Sequence, residues 1–70
     1  MILMLTETYR EARQIALEFG LLRNQWKWVD GPEDVAGVRD AVALMSESFG
    51  ERPDYKEIYN LVWHFETWHP

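Results

Sequence analysis

The sequence predicts a small α/β domain built on a three-stranded parallel sheet, and three observations lead there. Two uninterrupted apolar runs, Met1 to Leu5 and Ala41 to Met45, are too short for helices and have the character of strands buried on both faces. Two longer stretches repeat apolar residues at spacings of three and four, the period of a helix lying on a sheet. Strand-like and helix-like segments alternate along the chain, as they do where helical crossovers join parallel strands.

Met1-Ile2-Leu3-Met4-Leu5 ends at Thr6-Glu7 and makes the first strand. Thr8-x-x-Glu11 is a capping box: the threonine hydroxyl takes an amide proton of the first turn and the glutamate reaches back to the cap amide. Behind it Tyr9, Ala12, Ile15, Ala16 and Phe19 form one apolar stripe, with Arg10, Arg13, Gln14 and Glu18 on the wet side. Gly20 supplies the left-handed residue that closes a helix, and Leu21 the apolar contact that accompanies such a stop.

Trp26-Lys27-Trp28-Val29 is rich in strand formers and alternates, so it reads as a half-exposed second strand with both indoles on one face and Lys27 on the other. Asp30-Gly31-Pro32-Glu33-Asp34 turns the chain into a short helical segment through about Val38, with proline and two carboxylates where a helix start favours them. Ala41 to Met45 is the third strand; the competing reading makes it a helix within a helical bundle. Pro53-Asp54 opens the last helix, whose stripe is Tyr55, Ile58, Tyr59, Val62 and Phe65, widened by Leu61 and by Trp63, which is assigned to the core. Trp68 either folds back on that helix or stands exposed.

Right-handed crossovers place the strands in the order 2-1-3, a half-sized relative of the doubly wound, Rossmann-like folds. All of residues 1–70 belong to a single domain, because a chain of this length buries only about 60% of its unfolded surface. Absence of cysteine excludes a disulfide framework, a thiolate nucleophile and a zinc-thiolate site, and suits a reducing, cytoplasmic setting. The opening apolar run is too short for a membrane span or a signal core.

Charge is uneven. Residues 1–29 carry four basic and three acidic side chains, whereas residues 30–70 carry three basic and nine acidic ones, for a net charge of -5 overall. Direct contact with a nucleic-acid backbone is disfavoured, and a basic or neutral protein partner is favoured.

The succession Thr6-x-x-x-x-Glu11-Ala12, Gly20-Leu21, Trp26-x-x-Val29, Pro32-Glu33-x-x-x-Gly37-x-Arg39 and Arg52-Pro53-Asp54-x-x-Glu57-Ile58 spans nearly the whole chain. It resembles a group of small single-domain α/β proteins encoded by actinobacterial phages and their hosts. The resemblance implies a phage or mobile-element setting and no activity, cofactor or site.

In an open parallel sheet, ligands bind beyond the carboxyl ends of the strands where the strand order reverses. That point lies between Thr6-Glu7-Thr8 and the loop Ser46 to Arg52, so Thr6, Thr8, Ser46 and Arg52 are the candidate ligand loop for a phosphate-bearing small molecule. Glu7, Glu47 and Glu51 oppose an anion there. His64 and His69 flank Glu66, but a spacing of five does not put two ligands on one helix face, so no metal and no cofactor are expected. The pairs Glu33-Asp34 and Glu47/Glu51 read as helix-start and loop carboxylates rather than as an acid and a base.

Trp26 and Trp28 lie on what the 2-1-3 order makes an edge strand, and tryptophan often dominates binding contacts. With Asp30, Glu33 and Asp34 they form the expected partner-binding region. Strand three is also an edge in this order, apolar on both faces, so Val42, Ala43 and Leu44 are expected to pair two copies into a homodimer. The chain therefore reads as a non-enzymatic protein–protein interaction module of a phage or mobile element acting on a host protein. The alternatives are a ligand-binding or hydrolytic domain at the candidate loop, and an acidic mimic of nucleic acid.

Overall fold

A computed structural model describes all residues from Met1 to Pro70. Four strands and two helices follow one another as β1 (Ile2–Leu5), α1 (Tyr9–Glu18), β2 (Trp26–Trp28), β3 (Val42–Met45), α2 (Tyr55–Val62) and β4 (Glu66–Trp68). Short 3-10 turns occupy Arg23–Gln25, Pro32–Asp34 and Glu47–Glu51. All strand pairs are parallel, in the order β2-β1-β3-β4. The α/β class and the 2-1-3 core are as expected, and the bundle alternative is set aside.

The first helix begins and ends as its sequence dictates. Thr8 is extended and its hydroxyl accepts the Glu11 amide at 3.2 Å. At the other end Gly20 adopts a φ of 69°, its amide donates to the Leu17 carbonyl at 3.2 Å, and the Leu21 amide reaches the Ala16 carbonyl at 2.9 Å. This pair of bonds is the Schellman closure, and Leu21 packs under it against the core.

Register separates the sheet into two faces. Ile2, Met4, Trp26, Trp28 and Leu44 meet Ala12, Ile15 and Ala16 of α1. Leu3, Leu5, Val29 and Ala43 meet Val35, Phe49, Ile58, Val62 and Phe65 on the opposite side. One helix on each face is the arrangement that right-handed crossovers produce when α1 links β1 to β2 in one direction across the sheet and α2 links β3 to β4 in the other.

The fourth strand corrects the expected topology. The apolar stripe of the last helix predicts continuation through Phe65, but α2 stops at Val62 and the chain turns through Trp63 and His64, with the Phe65 amide donating to the Val62 carbonyl at 2.9 Å. Phe65 still reaches the core, and the next three residues pair with β3 from Val42↔Glu66 to Leu44↔Trp68. Trp63, expected in the core, sits on the outside of this turn and is 65% exposed. Trp68 is part of β4, on the α1 side of the sheet.

Val42, Ala43 and Leu44 are thereby removed from the edge. Strand β3 is flanked by β1 and β4, and Ala43 is 0% exposed, so these residues cannot pair with a second copy of the sheet. The two edges are instead β2 and β4. No helix is long and apolar enough to cross a membrane.

Candidate functional site

Arg52 decides what the carboxyl ends of the strands can do. It sits in an extended residue just before α2, is 8% exposed, and lies across the ends of β1 and β2. Its Nε and Nη2 donate to the two carboxylate oxygens of Asp54, each at 2.9 Å. Nη1 donates to the carbonyls of Thr6, at 3.2 Å, and Val29, while Nη2 also donates to the carbonyl of Asp30 at 2.6 Å.

A guanidinium has five N–H donors, and all five are engaged. Trp28 completes the shield: its ring centroid lies 5.4 Å from the Arg52 guanidinium carbon, and its indole N–H donates to the Thr6 carbonyl at 3.3 Å. Phe49 flanks the same group at 5.9 Å. The strand-end carbonyls of Thr6, Val29 and Asp30 thus receive donors from Arg52, with Trp28 sharing the first.

Most hydroxyls of the candidate ligand loop are also bonded within the chain. The Thr6 side chain is buried and its hydroxyl donates to the Thr8 carbonyl at 2.7 Å; the Thr8 hydroxyl caps α1. Ser46 and Ser48 hydroxyls lie 2.9 Å apart, Ser48 accepts the Glu7 amide at 3.1 Å, and it donates to the Glu11 carboxylate. Glu11 therefore ties α1 to the loop after β3, rather than closing the capping box on the Thr8 amide. Thr6, Thr8, Ser46 and Arg52 stand near the reversal of strand order as expected, where the Thr6, Ser46 and Arg52 side chains serve as internal ties and the exposed Thr8 hydroxyl caps α1 as an acceptor.

The open surface lies one strand over. A depression of about 410 Å³ at the carboxyl end of β2 is lined by Trp28, Arg52 and Pro53 and by the carboxylates of Glu7, Asp30, Glu51, Asp54 and Glu57. With the guanidinium fully engaged, the floor is neutralised and the rim is negative. It holds no hydroxyl and no histidine.

The α1 side of β2 has the opposite character. Tyr9 packs against Trp26 with centroids 5.8 Å apart and edge-on against Trp28 at 6.0 Å. Arg23 and Lys27 share a shallow groove with these three rings, and Arg13 joins Arg23 beside Trp26 in the adjoining one. Arg13 and Arg23 make no ion pair within the chain.

The expected partner-binding residues fall into two groups. Trp26 and Trp28 are half-buried on the α1 face, as the alternation requires, and Asp30 is exposed at the strand's end. Asp34 turns inward: its carboxylate accepts the amides of Asp30 at 2.8 Å and Gly31 at 3.4 Å, and Lys27 Nζ lies 3.5 Å from it. The Asp30 amide holds this carboxyl below the ordinary aspartate range; partial burial works against that, and Lys27 and the Gly31 amide add to it. Glu33 is exposed on the turn beside it.

Strand β2 is an edge with unpaired backbone. The Val29 amide donates to the Met4 carbonyl at 3.1 Å, so the alternating peptide groups of Trp26 and Trp28 point away from β1. No other strand lies beside them.

Comparison with known proteins gives no match: no family model, no curated protein and no solved structure matches this chain. Fold and site together define a small α/β domain with a parallel sheet, whose strand-end arginine is fully engaged within the chain and whose β2 edge is open.

Proposed function

We propose that the chain is a non-enzymatic protein–protein interaction module that works through the outer edge of β2. One observation carries this reading: Trp26 and Trp28 present half-exposed indoles together with unpaired backbone groups, at a strand with a basic groove at its start and an acidic depression at its end. Added strands take affinity from such backbone groups and specificity from the flanking side chains. Arg52 supports protein binding over phosphate chemistry, since all five N–H donors of the one cation at the strand ends are already engaged within the chain.

The reading covers a second copy of the chain and a foreign protein alike. In the phage or mobile-element setting that the sequence suggests, the foreign protein is a host one. A photoreactive phenylalanine analogue placed at Trp26 tests it, with Asn60 on the exposed side of α2 as the control position. A discrete adduct from position 26 that is absent from position 60 is expected. Equal yields from both positions, or none from 26, would remove the β2 edge as the contact surface.

A further inference from the structure

The β2 edge is electrically polar along its length. Its amino end carries Arg23 and, from α1, Arg13; its carboxyl end carries Asp30 and the rim of Glu51 and Glu57. Neither Arg23 nor the Asp30 carboxylate has a partner within the chain. A surface that is positive at one end and negative at the other is complementary to itself when turned end for end.

We infer that the partner this edge fits is a second copy of the chain, paired antiparallel along β2 about a two-fold axis at Lys27. This rests on the reading of β2 as the contact edge. The outward peptide groups of Trp26 and Trp28 dictate the register: Trp26 of one copy exchanges backbone hydrogen bonds with Trp28 of the other, and reciprocally. The four indoles then lie on one face of a continuous eight-stranded sheet. Beyond the strand ends Arg23 falls opposite Asp30-Gly31 of the second copy, so each contact occurs twice, as an isologous interface requires.

Parallel pairing, by contrast, sets the two arginine ends together and the two acidic ends together. The one repulsive element in the antiparallel pair is Lys27 against Lys27 at the axis, and each ammonium is already held 3.5 Å from its own Asp34. Like charges directly opposite one another weaken a strand pair. Removal of this charge is therefore a test that strengthens rather than breaks the assembly.

Light scattering coupled to gel filtration, over a hundredfold concentration range, reads the assembly as twice the 8.4 kDa chain mass. Arg23→Glu and Asp30→Arg are each expected to weaken dimerisation about tenfold, and the double exchange to restore it. Lys27→Thr is expected to tighten it. Restoration by the double exchange cannot come from a general loss of folding, which makes the pair decisive.

A chain that is monomeric throughout the range, or a dimer indifferent to all three changes, would overturn the inference; the latter would place the contact away from β2. A monomer that still gives position-26 adducts of a foreign protein overturns the inference and leaves the β2 edge as the contact surface. Absence of both dimer and adduct removes the two together.

Discussion

Arg52 and Asp54, two residues apart, close a bidentate pair at 2.9 Å and 2.9 Å immediately ahead of α2, and the same guanidinium reaches the carbonyls of Thr6, Val29 and Asp30. Asp54 fixes the plane of the guanidinium, and the guanidinium joins the ends of β1 and β2 to the start of the last helix. A long-range knot of this kind stands where an open parallel sheet ordinarily binds its ligand.

Arg52→Ala leaves the Val29 and Asp30 carbonyls and the Asp54 carboxylate without their side-chain donor, and the Thr6 carbonyl with the Trp28 indole alone. Breaking a buried charged network of this sort costs about 3–5 kcal/mol, a large share of what a 70-residue domain has. Urea unfolding is expected to show a large loss for Arg52→Ala. Arg52→Lys should recover only part of it, since an ammonium cannot reproduce the five-donor fork.

Asp34 predicts the acid limb of stability. Its carboxyl titrates below the ordinary aspartate value of about 3.9 in the folded chain. A lowered folded value means that the contribution is fully present above the unfolded value and is lost as pH falls through the folded one. Asp34→Asn is therefore expected to be less stable than the parent at neutral pH. The gap should narrow as the parent is taken below about pH 4, followed by thermal melting at stepped pH. A gap that stays constant down to pH 2 would contradict this role.

Ala43 lies in the centre of the sheet, not at an edge. Ala43→Lys is expected to prevent folding, because an ammonium cannot be accommodated at a site with 0% exposure between β1 and β4. Circular dichroism showing a folded Ala43→Lys monomer would contradict the four-strand order. Deleting residues 66–70 should, for the same reason, bare the apolar edge of β3 and yield an aggregating protein.

Trp28→Phe keeps most of the ring packing on Tyr9 and loses the indole donor to the Thr6 carbonyl. A cost of about 1 kcal/mol in urea unfolding is expected, the size of one partly buried hydrogen bond. A neutral result would mean that Arg52 alone satisfies the Thr6 carbonyl.

What the sequence shows plainly is local. Thr8 three residues before Glu11, and Gly20 before Leu21, announce the bounds of α1 because their partners lie within a turn. The alternation Trp26-Lys27-Trp28 is visible for the same reason. Strand β4 is hidden because Phe65 falls three residues after Val62 and so continues a helical stripe, while no glycine or proline marks the stop. Trp63 is misassigned with it.

The roles of Arg52 and Ser48 are hidden for a different reason. Apart from Asp54 and Ser46, their partners are backbone carbonyls, an amide and a carboxylate 22 to 46 residues away, and nothing in the spacing of side chains records them. Sequence could place Thr6, Ser46 and Arg52 at one end of the sheet. It could not show that they were already satisfied there.

Amide hydrogen exchange at β2 tests most directly whether its open edge docks a second copy. The Val29 amide bonds to β1, and by alternation so does that of Lys27, so both should be protected at every concentration. The Trp26 and Trp28 amides are expected to exchange rapidly in dilute solution and about tenfold or more slowly when the protein is concentrated. Rapid exchange at Trp26 and Trp28 across the whole range, or slowing confined to Thr67 on β4, would contradict it.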